Sequence, residues 1–193
     1  MKTKIDLSKY GVTLHLIRHG NYNPTKAGGW SDDNLSIEGI KEVEALLNEI
    51  DDYYDVFISS DLNRAKDTSL ILNRKLNMDI IYNQNIREIN SGILNDMPIS
   101  EFIKNYSYLY YPNMKMDEEF PNGESPNTFF ERIKKEFNKI IKENKNKKVL
   151  LVTHSGVINI ILCLIRGIEY QPSLNLSPKT GSIIKINYYK RSL

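Results

Sequence analysis

The chain alternates between short apolar runs and longer stretches with apolar residues on one side. Residues 12–18, Val12-Thr13-Leu14-His15-Leu16-Ile17-Arg18, predict a first buried strand that ends abruptly in Arg18, His19 and Gly20. A loop follows to Asn34, marked by Pro24 and Gly28-Gly29. Ser36 reads as the N-cap of a helix that turns Ile40, Val43, Leu46 and Leu47 to one face. Asp55 to Ser60 predicts a second short strand, with Ser60 or Asp61 capping a helix over about 62–76 whose Ala65, Leu72 and Leu76 point inward. Asp79 to Tyr82 suits a third strand.

Residues 84–125 break this rhythm, punctuated by Asn90, Gly92, Asn95, Pro98, Pro112 and Pro121. A long irregular excursion in a compact domain is usually functional or mobile, so a cap beside the strand ends is expected here. Ser125 to Glu143 then reads as an amphipathic helix, with Phe129, Phe130, Ile133, Phe137, Ile140 and Ile141 on its apolar side. Lys145 to Lys148 is a charged turn, and Lys148 to Thr153 a strand that ends in His154-Ser155-Gly156. A helix over 157–166 and a last edge strand over Ser182 to Tyr189 complete the series. The alternation predicts an α/β fold: a three-layer α/β/α sandwich on a mostly parallel mixed sheet. Residues 1–193 form one domain in this reading, with a cap at about 84–125.

Composition narrows the function classes. The 26 Lys and Arg against 24 Asp and Glu leave a formal charge of +2, with no basic excess for nucleic acid. Cys163 is the sole cysteine, which excludes an internal disulfide, and its apolar surroundings predict a packed core thiol. The N-terminus is polar, unlike a signal peptide, and the longest apolar run, Val157 to Ile165, is too short to span a bilayer. A cytoplasmic protein without membrane contact is expected, and a homodimer is among the states allowed. With three His and one Cys, a His/Cys-rich zinc site is not expected. His15 precedes His19 by four residues, roughly 13 Å along a strand, and reads as a packed core residue. Trp30 reads as a packing residue, and the Tyr106 to Tyr111 cluster either lines a pocket or anchors the cap.

The candidate chemistry collects at strand ends, where open α/β sheets bind ligands. Arg18-His19-Gly20 and His154-Ser155-Gly156 each close a strand. Ser59-Ser60-Asp61-Leu62-Asn63-Arg64-Ala65 puts Arg64 in the first turn of a helix, where an arginine and the helix N-terminus can hold an anion together. Arg87-Glu88-Ile89-Asn90-Ser91-Gly92 adds a carboxylate at the start of the excursion. Two arginines, two histidines and one carboxylate can clamp a phosphoryl group, attack it and protonate its leaving oxygen.

In this order, together with Asn34-Leu35-Ser36, Gly39 and Pro121-Asn122-Gly123-Glu124-Ser125, the segments resemble the histidine phosphatase superfamily, also called the phosphoglycerate mutase-like family. The resemblance covers nearly the whole chain. It implies that His19 is the nucleophile and forms a phosphohistidine. Arg18, Arg64 and His154 would hold the phosphoryl oxygens, and Glu88 would serve first as acid and then as base. No cofactor or metal is implied, and the partner is a small phosphorylated metabolite. The chain departs from the family where a hydroxyl usually follows the first Arg-His-Gly: Asn21-Tyr22 stand there instead. Asn21 or Thr25 is the candidate replacement, and Ser155 a further substrate contact. The resemblance favours a phosphomonoesterase. Gly29-Trp30-Ser31-Asp32 resembles a mutase loop and keeps a phosphoglycerate mutase as the alternative, with a catalytically weak phospholigand binder behind it.

Overall fold

The two apolar runs that end in a histidine are adjacent central strands. In the computed structural model, which describes residues 4–187, β1 (Thr13–Arg18) pairs in parallel with β4 (Lys148–Thr153), from Thr13 opposite Lys148 to Arg18 opposite Thr153. β2 (Val56–Ser59) lies on the other side of β4, and β3 (Ile80–Tyr82) lies beyond it; both pairings are parallel. β5 (Ser182–Ile186) runs antiparallel to β1 at the opposite edge, giving the order β3-β2-β4-β1-β5. The expected last strand reached Tyr189; positions 188 and 189 lie outside the described residues.

Side chains alternate across a strand, so β1 and β4 feed two separate apolar clusters. Leu14, Leu16, Val149 and Leu151 face one, with Phe129, Ile133 and Phe137 of α4 (Pro126–Glu143) and Ile158 and Ile161 of α5 (Ser155–Arg166). Ile17, Leu150 and Val152 face the other, with Val43 and Leu46 of α1 (Ile37–Leu46) and Ala65 and Leu72 of α2 (Asn63–Leu76). This is the expected three-layer sandwich. Each such side chain contributes about 1.5–3 kcal/mol when fully removed from water, so the helices are held chiefly by their buried stripes. His15 points into the second layer, where its Nδ1 meets the Tyr54 hydroxyl at 2.8 Å, and Cys163 is buried in α5.

Several local expectations need correction. Ser36 caps α1 through the Gly39 amide, and Leu47 at its C-cap packs inward as expected, but Ile40 is exposed. Neither Ser60 nor Asp61 caps α2; Leu62 takes that place without a side-chain bond. Both polar side chains are engaged elsewhere: Ser60 Oγ lies 2.7 Å from His154 Nε2, and Asp61 grips Arg87 through two 2.6 Å bonds. α5 starts at Ser155 instead of 157, with His154 as its N-cap. α4 begins as expected, with a reciprocal Ser125–Thr128 capping box.

Between β3 and α4, residues 84–125 hold three 3₁₀ turns and the short α3 (Ile99–Asn105), which buries none of its residues. The excursion is anchored from beneath by Ile86, Ile89, Leu94, Leu109, Met114 and Phe120, all in the α4–α5 cluster. Among the described residues, no helix is long and apolar enough to cross a membrane.

Candidate active site

The β1–β4 register sets two histidines side by side. The His19 amide donates to the Thr153 carbonyl at 3.0 Å, and the rings of His19 and His154 are 5.1 Å apart. Directly after His19 the chain passes close to α1: a Cβ at Gly20 would come 2.6 Å from the Gly39 carbonyl. His19 is 3% exposed, and its Nδ1 lies 2.8 Å from the Gly20 carbonyl. A carbonyl can only accept, so Nδ1 carries the proton and Nε2 the lone pair. Burial, and after it the Arg64 charge, push the His19 pKa down to about 3. The ring is therefore neutral at neutral pH, with a defined nucleophilic nitrogen.

His154 is fully buried, and burial followed by the Arg64 charge holds its pKa well below the ordinary value. Ser60 Oγ accepts from the Leu62 amide and lies 2.7 Å from His154 Nε2. Its other ring nitrogen, His154 Nδ1, is buried and has no partner. Arg64, in the first turn of α2, is 2% exposed; it donates to the Ser31 carbonyl at 2.7 Å and the Gly29 carbonyl at 2.6 Å, while its Nε is unpaired. Arg18 donates to the Pro178 carbonyl at 2.9 Å, and its Nε is also buried and unpaired. Leaving a buried donor unmatched costs about 1–3 kcal/mol. Arg18 Nε, Arg64 Nε and His154 Nδ1 are each buried without a partner, and the Arg64 and Arg18 charges both act on the His19 ring.

Glu88 is half-buried in the turn after Arg87. Its Oε2 accepts from the Gly156 amide at 2.9 Å and its Oε1 from the Ile89 amide at 3.1 Å. It faces a cavity of about 710 Å³, whose wall also includes Tyr22, Gly29, Ser155 and Gly156. The Tyr22 ring meets the His19 ring edge-on at 5.5 Å, and the Arg64 guanidinium lies 5.1 Å from its centre, so the inner end of the cavity adjoins the histidine pair. Asn21, next to Tyr22 in the chain, donates its backbone N–H to Glu42 at 2.8 Å. Thr25 does not join the group: it is exposed, and its hydroxyl donates to Asp33 at 3.2 Å. Among the described residues, no cluster of three or more His, Cys, Asp or Glu could hold a metal ion.

A sequence model of the histidine phosphatase superfamily, branch 1, matches residues 14–193. The chain belongs to this superfamily. Among its relatives, the uncharacterized phosphatase PhoE of Bacillus subtilis (strain 168) is 30% identical over 156 residues, covering 79% of this chain and 76% of that one. Phosphoserine phosphatase 1 of Hydrogenobacter thermophilus is 28% identical over 164 residues, covering 82% and 78%. The crystal structure of an alpha-ribazole phosphatase from Shigella flexneri shares the fold, with a TM-score of 0.79 at 20% identity over 91% and 90% of the two chains.

Sequence reasoning missed the parts of this histidine phosphatase that hold Glu88. The Trp30 indole N–H donates to the Glu88 carbonyl at 2.6 Å, and Arg132 donates to the same oxygen at 3.0 Å. Arg132 is itself held by both Glu124 oxygens, at 2.6 and 2.7 Å. Arg87, clasped by Asp61, lies 4.8 Å from the centre of the Trp30 ring. The adjacency of Arg87 to Glu88, and of Asp61 to Ser60, was a readable hint; Arg132 sits on the polar side of α4 with nothing local to mark it.

Proposed function

We propose that this chain is a metal-independent phosphomonoesterase, hydrolysing a small phosphorylated metabolite through a phosphohistidine on His19. The observation that supports it most strongly is the neutral, buried His19, its ring 5.1 Å from that of buried His154 and under the charge of buried Arg64. In the first step, His19 Nε2 attacks phosphorus, the bond to the ester oxygen breaks, and Glu88 delivers a proton to the departing alcohol. Water then gives a proton back to Glu88 and attacks the phosphohistidine, freeing His19 and inorganic phosphate. Arg18, Arg64 and His154 hold the equatorial oxygens, whose charge is the main object of catalysis in phosphoryl transfer. The two guanidiniums supply the positive charge that a metal ion provides elsewhere. Asn21, rather than the distant Thr25, takes the place of the missing hydroxyl, and Ser155 adds a contact from the first turn of α5.

The segment that resembles a mutase loop has work in either reaction. The Gly29 and Ser31 carbonyls fix Arg64, and Trp30 between them fixes Glu88. It therefore does not favour isomerisation over hydrolysis. Purified protein should release phosphate from p-nitrophenyl phosphate in EDTA and be inhibited by vanadate, which mimics the five-coordinate phosphoryl group. His19→Ala should lose nearly all turnover, and rapid quenching of wild type should trap acid-labile phosphate on His19. Retained activity in His19→Ala would overturn the assignment. So would rapid interconversion of phosphoglycerates with negligible phosphate release, or a loss in EDTA reversed by Mg²⁺ or Zn²⁺.

A further inference from the structure

Past Glu88, the cavity runs outward beneath the excursion. Its wall there is apolar and aromatic at Leu94, Phe102, Leu109, Tyr110, Tyr111 and Phe120 from residues 84–125 and at Leu174, with Ser91, Asn159, Ser173 and Asn175 as uncharged polar members. Glu88 is the only Asp, Glu, Lys, Arg or His on the whole wall among the described residues. Nearby cations are committed or turned away. Arg87 clasps Asp61, Arg132 is taken by Glu124 and backbone carbonyls, and Lys104 and Lys115 are exposed and off the wall.

The wall is also held in shape. The Asn159 side chain donates to the Leu174 carbonyl at 3.1 Å and accepts from the Leu176 and Ser177 amides at 2.7 Å, which pins that segment against α5. Tyr111 stacks on Phe120, meets Phe129 edge-on, and pairs its hydroxyl with that of Tyr170. A pre-formed cavity of this kind selects ligands by shape and by the charges it can match. An anionic group on the alcohol half of an ester would leave water here with no cation to meet it, and with the Glu88 carboxyl nearby. A flat apolar ring would cover aromatic faces already in place.

We propose that this site takes phosphate esters of uncharged alcohols that carry an aromatic or comparably flat apolar body, and rejects esters of carboxylate-bearing alcohols. The proposal deepens the phosphomonoesterase reading and rests on it for turnover, but not for binding. Benzyl phosphate and 4-carboxybenzyl phosphate test it, because their alkoxides are similar leaving groups and the added carboxylate is the main difference. Glycerol 1-phosphate serves as the uncharged ester without a ring. We expect kcat/KM for benzyl phosphate to exceed both others by about tenfold or more, the scale on which apolar pockets discriminate. Phe102→Ala should shrink the benzyl-over-glycerol ratio, and Leu174→Arg should shrink or invert the benzyl-over-carboxybenzyl ratio.

Calorimetry with benzylphosphonate and 4-carboxybenzylphosphonate, which cannot be hydrolysed, asks the same question without chemistry. If no ester releases phosphate while benzylphosphonate still binds about tenfold more tightly, the hydrolytic reading falls and the pocket assignment stands. Equal binding of the two phosphonates, or wild-type turnover of the carboxybenzyl or glycerol ester as fast as the benzyl ester, overturns the pocket assignment.

Discussion

Trp30 shows how one side chain joins two halves of a site. Its neighbours Gly29 and Ser31 present the carbonyls that hold Arg64, and its own indole N–H holds the backbone of Glu88. Its partner is a carbonyl oxygen two bonds away from the Glu88 Cα, so losing the bond alters where the carboxyl sits more than what it is. Trp30→Phe keeps a ring beneath Arg87 and removes the donor. Loss of one such bond is worth about 0.5–1.5 kcal/mol, so turnover of alkyl phosphates should fall by up to about tenfold. p-Nitrophenyl phosphate needs little proton assistance and should suffer less. A uniform loss on both substrates, or none on either, would remove Trp30 from the positioning of Glu88.

At the level of elements, the β4–α5 junction carries the most. His154 ends the strand, Ser155 opens the helix, and the Gly156 amide in its first turn receives Glu88. Helix N-terminal amides have no intrahelical partner, so a carboxylate there satisfies a donor that the helix must leave open. Gly156 is needed because a Cβ would run into Glu88 Oε1 and stand 3.0 Å from Phe129. Gly156→Ala should therefore push Glu88 away from the helix. We expect hydrolysis of alkyl phosphates to drop further than that of p-nitrophenyl phosphate, with vanadate affinity changing less than either rate. An alanine variant with the wild-type leaving-group profile would show that this contact does not matter.

For the molecule as a whole, burying His15, His19 and His154, each with its pKa lowered chiefly by burial, makes stability depend on acid. His19 and His154 both have pKa values depressed by burial, His19 to about 3, whereas in the unfolded chain each titrates near the ordinary value of 6.5. Between about pH 6.5 and 3, the unfolded chain binds protons that folded His19 refuses, so stability falls as the pH drops through this window. Above it, both states are neutral and these groups contribute nothing further. The limiting slope is about 1.4 kcal/mol per pH unit for each imidazole. Urea unfolding in phosphate-free buffer should show this decline, and His19→Gln should make it shallower. An unchanged slope in that variant would mean that His19 is not held neutral in the free protein.

The order of elements was legible because it depends on local pattern: apolar runs of strand length, amphipathic spacing in α1, α2 and α4, and turn residues between them. The ordered strand-end segments likewise picked out Arg18, His19, Arg64, Glu88 and His154 as a candidate set, since a strand's last residues are fixed by where its apolar run stops. Which polar side chain does what at those ends was not local. Ser60 and Asp61 look like helix caps in sequence, yet one turns to His154 and the other to Arg87, and only the packing of β2 beside β4 and the path of residues 84–88 decide that. Thr25 looked as able as Asn21 to replace the missing hydroxyl until the loop's course carried it to the surface. The α4 helix was readable from its apolar stripe, but its polar face bears Arg132, whose bond to the Glu88 carbonyl spans 44 positions of sequence. Periodicity reports which face of an element is buried. It is silent about the partners of long polar side chains, because these reach across elements whose separation is set only when the two apolar clusters close around the sheet.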